Sequence, residues 1–401
     1  MLDPLLKEYD FAVIGAGPAG LLAALNLATS RNRGLASKAY SIALIDKRDP
    51  WREPVACAEA VSARGLRSLV PKVEPAWIRE PVDGVIFISP NGTRVTFSKP
   101  GGGLLIDRAL MHKNLAEECR RAGVHCNFRS RATALSRFEN GRRILKYEGD
   151  ASGEIKARVV IDASGPGLGF GQGEAIVQGN FDVEPALFAL VRGIDYPTNY
   201  IQMFFGRNFA PGGYAWLFPR DKHVANVGLV IGKRFAKEAP ARKTMARFME
   251  QVYPGVTVET VHGGVIPCGY TREPLGVENL FKAGDAANMV NPISRAGILE
   301  AMKGGALAAE AAVRVIELGE EAEKAHHYRE YKEKWDAAYG NAALRIHRAK
   351  DAFASIPDET LDRAAGRLAK IPPEKISLNR IFLTTLWGTP SLIWRMRSLI
   401  R

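Results

Sequence analysis

The sequence predicts an α/β protein with two interleaved sheet domains and a helical C-terminal region. Three observations carry this prediction. A β-rich run at residues 9–14 leads directly into a glycine-rich turn and an Ala- and Leu-rich helical segment. Strand-like segments separated by turn residues fill residues 186–232, and the pattern beyond residue 320 is helical. Strands that alternate with helices favour a parallel sheet, whereas strands in succession favour a separate, mixed sheet.

The N-terminal motif is Gly15-x-Gly17-x-x-Gly20, and the next apolar run ends on Asp46, 26 residues after the last of these glycines. Gly15 permits a tight turn, Gly17 lets a pyrophosphate approach the backbone, and Gly20 allows close helix–strand packing. The helix N-terminus then faces the anion, and Asp46 would accept hydrogen bonds from ribose hydroxyls. The motif therefore predicts a Rossmann-like dinucleotide-binding unit.

The remaining elements follow from periodicity and turn residues. In chain order the sequence predicts a hairpin (85–88 and 93–97), a helix from Ile106-Asp107-Arg108 to residue 122, a strand (124–129), a hairpin around Asn140-Gly141, a strand (158–161) entering Asp162-Ala163-Ser164-Gly165, strands at 187–192, 200–205, 214–218 and 224–231, a strand ending at Gly284-Asp285, a helix at about 297–318, and helices broken at Pro357 and Pro372-Pro373.

Composition narrows the class of protein. The chain has 401 residues, 46% of them hydrophobic, and a formal net charge of +12. A chain this apolar can bury enough surface to offset its ordering entropy, so disorder is not predicted. Basic residues are mixed with acids and form no nucleic-acid motif, so we expect no nucleic-acid partner. The four cysteines and seven histidines show no metal-ligand spacing, which favours a reducing cytoplasm and no metal site.

The N-terminal ten residues carry too many charges for a signal peptide. Apolar stretches near the C-terminus are interrupted by Arg380, Gly388, Pro390 and Arg395, so no membrane-spanning helix is predicted. The basic, tryptophan-containing segment 376–401 has two interpretations. It either lies at an anionic membrane surface, which would make the protein peripheral on the inner face, or packs as terminal helices on the domain.

The glycine motif, Asp107-Arg108, Asp162-Ala163-Ser164-Gly165 and Gly284-Asp285-Ala286-Ala287 resemble, in order and spacing, the FAD-binding group typified by aromatic-ring hydroxylases. The resemblance covers most of residues 8–320 and implies FAD as cofactor. It also implies that Asp285 lies on the ribitol and pyrophosphate side and that Arg108 reaches the cofactor from its helix. The predicted cofactor-binding residues are Gly15, Gly17, Pro18, Ala19, Gly20, Asp46, Lys47, Arg108, Ala163, Gly165, Gly284, Asp285, Pro292, Gly297 and Ile298.

Residues 211–219, Pro-Gly-Gly-Tyr-Ala-Trp-Leu-Phe-Pro, resemble the Tyr-x-Trp-x-Phe-Pro signature of the geranylgeranyl reductase family, which saturates isoprenoid double bonds. On a strand, Tyr214, Trp216 and Phe218 lie on one face. Such an aromatic wall can hold a polyprenyl chain by apolar contact, with the Tyr hydroxyl and the indole nitrogen as fixed polar tips. An ordinary sandwich core is the alternative explanation, since core strands are commonly aromatic.

The segment 54–62 resembles the same family's Cys-Gly-Glu segment beside the flavin, with Ala58 in place of glycine. Cys57 could donate a proton, respond to redox state, or only pack. Residues 284–298 resemble the family's flavin loop, with Asn288 where glycine is common. The predicted catalytic residues are Cys57, Tyr214, Trp216 and Phe218.

The resemblance implies a Rossmann-like FAD-binding domain (1–75, 101–170 and 276–330), interleaved with a mixed β-sheet substrate domain (76–100 and 171–275) and followed by a C-terminal helical region (331–401). Reduced FAD would deliver hydride to one alkene carbon of a prenylated substrate, and a proton would reach the other. The electron donor, NAD(P)H or a ferredoxin-like protein, stays open. The alternatives are a flavin monooxygenase or halogenase on the same scaffold, and a non-catalytic flavin redox sensor.

Overall fold

The structure is a computed structural model that describes residues 7–386, except 33, 53, 54, 71, 151, 168, 179–181, 257, 259, 271, 319 and 320. The tail segment 387–401 thus lies outside the described residues. The strands are β1 (Glu8–Ile14), β2 (Ile42–Ile45), β3 (Ala60–Ser62), β4 (Ile78–Ile88), β5 (Arg94–Ile106), β6 (His125–Asn127), β7 (Ser130–Leu135), β8 (Arg143–Gly149), β9 (Gly153–Asp162), β10 (Val183–Arg192), β11 (Tyr200–Phe204), β12 (Tyr214–Pro219), β13 (Val224–Val230), β14 (His262–Pro267), β15 (Gly276–Val277) and β16 (Leu280–Lys282).

The predicted helices are present, together with two further helices. No helix in the described part of the chain is both long and apolar enough to cross a membrane. The helices are α1 (Pro18–Ala28), α2 (Ala63–Leu69), α3 (Arg108–Arg121), α4 (Ala241–Val252), α5 (Ile298–Glu317), α6 (Glu321–Trp335), α7 (Asn341–Ala354), α8 (Asp358–Leu368) and α9 (Leu378–Leu386). Of these, α2 and α4 were not predicted. A π-helical segment, Asp336–Gly340, joins α6 to α7.

The described residues divide into two compact units, within Met1–Val55, Arg108–Phe181 and Pro267–Leu344, and within Ala56–Asp107, Asp182–Ile266 and Arg345–Arg401. The first unit contains a sheet of order β15-β16-β9-β1-β2-β6, with the hairpin β7-β8 joined to β9. Strands β16, β9, β1, β2 and β6 are parallel neighbours, so their carboxyl ends share one edge. The predicted parallel sheet is confirmed.

The second unit contains a mixed sheet of order β14-β10-β13-β12-β11-β4-β5-β3. The predicted hairpin of β4 and β5 is antiparallel, as are β10, β13, β12 and β11 in succession, whereas β11 pairs with β4 in parallel. One face of this sheet is covered by α4, where Ala215 and Leu217 of β12 share a buried cluster with Phe248. The opposite face carries the predicted aromatic residues of β12.

Several segments lie in a different unit from the predicted one. The described residues of 56–75 belong to the second unit because β3 pairs with β5, with Ala60 opposite Leu105, and residues 101–106 complete β5 itself. Residues 345–386 also belong there, since Ala365 and Leu368 of α8 pack with Val95 of β5. The described residues of 171–181 and those of 267–275 belong to the first unit. Which unit holds FAD and which the substrate stays a prediction.

Candidate functional site

The glycine turn lies at the carboxyl edge of the parallel sheet, where β1 ends. The Gly15 amide donates to the Ile45 carbonyl (2.7 Å), and the Ala163 amide donates to the Ile14 carbonyl (2.8 Å). Gly15 has φ +96°, and a Cβ atom there would lie 2.3 Å from the Ala163 carbonyl oxygen. Only glycine fits both demands. The structure therefore brings the first motif against Ala163 and the turn that leads to Gly165.

The N-terminus of α1 follows with no side-chain cap at Gly17 and with Pro18 in its first turn. A Cβ on Gly17 would meet no atom within 4 Å, whereas one on Gly20 would lie 1.7 Å from the Gly15 carbonyl oxygen. Gly20 thus serves backbone packing, and Gly17 keeps clear the space beside the helix end. Uncapped amides and the helix dipole make this end suitable for an anion such as a pyrophosphate.

Asp46 lies beside this turn, at the end of β2. Its Oδ2 accepts from the Ala16 amide (2.7 Å) and its Oδ1 from the Arg48 amide (3.0 Å). Burial raises the pKa of Asp46, and these two hydrogen bonds oppose that rise. Each carboxylate oxygen keeps a lone pair for a ribose hydroxyl. Lys47 is exposed; partial burial and the neighbouring Arg48 and Arg131 charges lower its pKa.

The Gly-Asp motif follows β16 at the same edge, where the Ala283 amide donates to the Asp162 carbonyl (3.0 Å). Gly284 has φ +65°, and a Cβ on it would lie 2.9 Å from the Ala19 Cβ, so the motif lies against the first turn of α1. Burial raises the pKa of Asp285, and the charge of Arg108, the first residue of α3, opposes that rise. This proximity is the one expected if both reach the same cofactor.

A second helix, α5, begins in this region. Gly297 precedes it, and no side chain caps its N-terminus. A Cβ on Gly297 would lie 3.8 Å from Asp285 Oδ1. The loop containing Pro292 is shaped by Asn291, whose Oδ1 accepts from the amides of Ile293 (3.0 Å) and Ser294 (2.9 Å). The uncapped end of α5 therefore lies near Asp285.

The residues of the first unit fit a bound FAD. Two uncapped helix N-termini suit its anionic groups, the open space at Gly17 admits a close ligand, and carboxylates suit its hydroxyls. Among the predicted cofactor-binding residues, Lys47 has an exposed side chain, whose charge interacts with the neighbouring Asp46.

His112 was not singled out in the sequence, yet it holds Arg108. Its Nδ1 lies 3.0 Å from the Pro50 carbonyl oxygen, and Arg108 Nε donates to its Nε2 (3.3 Å). An acceptor on one side and a donor on the other select the neutral tautomer with the proton on Nδ1. Burial and the Arg108 charge lower the pKa of His112 to about 3. The spacing i, i+4 on a helix could have indicated this pair.

In the second unit, Tyr214, Trp216 and Phe218 are buried on one face of β12, as predicted. Ring centroids of Tyr214 and Trp216 are 6.1 Å apart, and those of Trp216 and Phe218 are 6.3 Å apart. Gly228 lies opposite Trp216 on β13, and a Cβ on it would lie 2.3 Å from Trp216 Cζ2. The missing side chain at Gly228 therefore makes room for the indole.

Asn226 of β13 is a second residue that the sequence analysis missed. Trp216 Nε1 donates to Asn226 Oδ1 (2.9 Å), and Asn226 Nδ2 donates to the Cys57 carbonyl (2.9 Å). Cys57 Sγ in turn accepts from the Glu59 amide (3.2 Å). Buried Glu59 has φ +65°, and its Oε2 lies 3.5 Å from Arg220 Nε. The Cys57 segment is thus connected to the aromatic strand β12 through Asn226. A polar residue inside the apolar run of β13 was the available signal.

Among the residues that the structure describes, one group of side chains has ligand atoms close enough for a cation, within 4.8 Å of one another: His326, His327 and Glu330 on α6. Glu330 is already paired with Lys334 (2.9 Å) and with His327 Nδ1 (2.8 Å), and these hydrogen bonds lower its pKa to about 2. The lysine supplies the positive charge that a metal would bring, so this group carries no argument for one.

Several solved structures share this fold. A geranylgeranyl bacteriochlorophyll reductase-like protein from Thermoplasma acidophilum aligns with a TM-score of 0.85 and 23% identity, over 98% of this chain and 99% of its own. A flavin-dependent halogenase aligns with a TM-score of 0.69 and 17% identity, over 98% of this chain and 72% of its own. These identities show the fold. Fold and glycine site together define a dinucleotide-binding α/β protein.

Sequence comparison specifies the family. Residues 182–265 match the geranylgeranyl reductase catalytic domain, and residues 10–187 match the lycopene cyclase protein family. Digeranylgeranylglycerophospholipid reductases of Methanosarcina acetivorans and Methanothrix thermoacetophila are 32% and 31% identical to this chain, over 98% of it and over 96% and 99% of their own lengths. The chain belongs to the geranylgeranyl reductase family. It is an FAD-dependent oxidoreductase of that family, which confirms the predicted family, cofactor and enzyme class. The halogenase is the more distant match, which favours the predicted reductase over the halogenase alternative.

Gly17, just before α1, and Gly20, in its first turn, are expected to respond differently to substitution by alanine. Gly17→Ala has room for its methyl group in the protein, so the free energy of unfolding without added FAD should fall by no more than about 1 kcal/mol, the usual cost of alanine at a helix N-cap. The same methyl obstructs a ligand at the helix end, so the FAD dissociation constant should rise at least tenfold, measured by flavin fluorescence on dilution. Gly20→Ala is the contrasting variant and should destabilise the fold itself. Unchanged FAD affinity in Gly17→Ala would contradict the assignment.

The buried His112 predicts a pH dependence of stability. Its folded pKa of about 3 lies below the ordinary value of 6.5, so the unfolded chain binds the extra proton first, and stability falls as pH drops below 6.5. This single group should lower the free energy of unfolding by about 2 kcal/mol between pH 7 and pH 5. His112→Gln should lose that component, measured by urea unfolding at both pH values. Equal losses in both proteins would show that His112 does not titrate this way.

Proposed function

We propose that the chain reduces the geranylgeranyl groups of a glycerophospholipid, the substrate class for which its relatives are named. The observation that carries this proposal is the buried aromatic face of β12, fixed through Asn226 to the Cys57 segment. A prenyl chain offers only apolar surface and alkene carbons. Apolar rings in a dry environment are therefore the side chains that can hold it.

The aromatic residues do more than exclude water. When bound and reduced, FAD supplies the hydride for one alkene carbon. An alkene has no carbonyl to polarise it, so positive charge develops on the more substituted carbon as the other carbon takes up a proton. The ring faces of Tyr214 and Trp216 stabilise such a charge. The hydrogen bond to Asn226 fixes the indole plane, so this electrostatic contribution needs no reorganisation.

Cys57 is the side chain we propose to hold the proton. Its thiol is partly exposed, and Sγ accepts a hydrogen bond from the Glu59 amide. That amide remains in place to stabilise negative charge on sulfur once the proton has left. The left-handed conformation of Glu59 and the proximity of Arg220 hold the amide in this orientation. Hydride and proton together account for the two hydrogens gained by the substrate.

A lipid substrate resides in a membrane, and we propose that α9 provides the contact with it. The side chains of Leu378 and Leu383 are 59% and 61% exposed, and Arg380 is exposed between them. Exposed leucines beside a cation on an amphipathic helix suit an anionic lipid surface. The sequence beyond residue 386 adds three arginines and two tryptophans without an acid.

The substrate proposal predicts a difference between two adjacent residues of β12. Trp216→Leu keeps apolar bulk but removes the ring, so the rate of alkene reduction should fall at least tenfold. Trp216→Phe should retain an intermediate rate. Leu217→Ala, on the opposite face, should lower stability by roughly 2–5 kcal/mol yet keep the rate per flavin-loaded molecule. The measurement is mass spectrometry of the lipid, counting gains of two hydrogens with dithionite as reductant.

Geranylgeranyl diphosphate and a prenylated quinone, run in parallel, identify the head group. Reduction of the diphosphate or quinone without the glycerophospholipid would contradict the substrate proposal. An oxygenated or halogenated product in air would contradict the mechanism. An unaffected rate in Trp216→Leu, with flavin bound, would leave the aromatic face with no part in catalysis.

The membrane proposal predicts binding of the holoenzyme to vesicles of anionic lipid. Leu383→Asp should lower the bound fraction severalfold in a sedimentation assay, since it places a negative charge in the apolar contact. Val265→Asp makes the same change at an apolar side chain of β14 that is 46% exposed, and should bind as the wild type does. Equal binding by both variants, or no binding by the wild type, would contradict the contact through α9.

A further inference from the structure

Asn288 occupies an unusual position beside the Gly-Asp motif of the first unit. It follows the turn Gly284–Ala287, has φ +54° and is only 3% exposed. Its amide nitrogen donates to the Asp285 carbonyl (3.2 Å), which places the residue directly against the predicted cofactor-binding aspartate. Left-handed backbone favours glycine first and asparagine next, so the backbone permits an asparagine here but does not require one.

The side-chain amide of Asn288 is buried, and no described residue hydrogen-bonds it. Both Nδ2 and Oδ1 are buried, and neither has a hydrogen-bond partner among the residues that the structure describes. An amide removed from water without a partner loses free energy comparable to that of the hydrogen bonds it forgoes. Glycine at this position would avoid both this loss and the backbone strain. Asparagine at this position therefore lowers the stability of the fold in two ways, through its unpartnered amide and through its left-handed backbone, and the described residues offset neither.

Asn279 is a second buried asparagine with positive φ, and its side-chain amide is hydrogen-bonded within the protein. It also lies in the first unit, with φ +58° and 4% exposure. Its Oδ1 accepts from the Tyr328 hydroxyl (2.9 Å), and its Nδ2 donates to the Arg158 carbonyl (2.9 Å). Two buried, left-handed asparagines thus differ in one respect: only Asn279 has its amide satisfied by described residues.

We propose that the Asn288 amide hydrogen-bonds the bound FAD, as donor and acceptor together. Phosphate oxygens of FAD only accept, so they would leave Oδ1 unpaired. The imide edge of the isoalloxazine ring and the ribityl hydroxyls each offer a donor and an acceptor. The adenine and its ribose do so too, but that end of FAD is expected at Asp46, whereas Asn288 adjoins Asp285. The partner is therefore the ring edge or the ribityl chain, and not the pyrophosphate that faces the glycine turn.

The test is Asn288→Gly, which removes the amide and relieves the backbone. FAD should dissociate at least tenfold more readily from the holoenzyme on dilution, followed by flavin fluorescence, although the melting temperature without added FAD should be equal or higher. Asn288→Asp, of the same size but without the donor, should also weaken FAD binding, and it serves if the glycine variant folds poorly. A change in the flavin midpoint potential in these variants would identify the ring edge, and an unchanged potential the ribityl chain.

Asn140→Gly is the matched control. Asn140 also has positive φ (+50°), but it is exposed in the turn between β7 and β8, so its loss should leave FAD dissociation unchanged. FAD dissociation in Asn288→Gly and Asn288→Asp equal to that of the wild type would overturn the proposal, because it would assign the amide's partner to water. Equal weakening in Asn140→Gly would overturn it as well, because backbone flexibility would then be the cause.

Discussion

Backbone crowding at the carboxyl edge of the parallel sheet is the constraint on which the first unit depends. Carbonyl oxygens of Gly15 and Ala163 occupy the space where side chains at Gly20 and Gly15 would lie. This packing sets the end of α1 directly above β1 and β9, and the left-handed Gly284 brings the Gly-Asp motif to the same place. The separate motifs form one site because no side chain keeps these backbones apart.

The second unit is organised differently, around a buried polar connection. Asn226 uses both ends of its amide, one toward the Trp216 indole and one toward the Cys57 backbone. A buried amide that is fully satisfied specifies a single arrangement, whereas an apolar residue would permit several. The aromatic face therefore has a fixed orientation relative to the Cys57 segment.

The sequence was sufficient for the features that depend on local pattern. Alternation and turn residues located β4, β5, β10 and β12, and the glycine spacing located the start of α1. Features that join distant parts of the chain were not accessible in this way. Nothing local to residues 60–62 indicates that they pair with Leu105, and the hydrogen bond from Asn226 to Cys57 spans 169 positions. The side-chain amide of Asn288 could be recognised only from its burial and from its lack of a hydrogen-bond partner among the described residues.

Positions 216, 226 and 228 of the second unit depend on one another through the space beside Gly228. The indole of Trp216 fills the volume that a side chain at Gly228 would occupy, and its N–H satisfies Asn226. A smaller or apolar residue at position 216 leaves a void against β13 and an amide without its donor. Changes of substrate preference at this face should therefore arise through compensated sets at positions 216, 226 and 228, and homologues with another residue at one of them should differ at the others too.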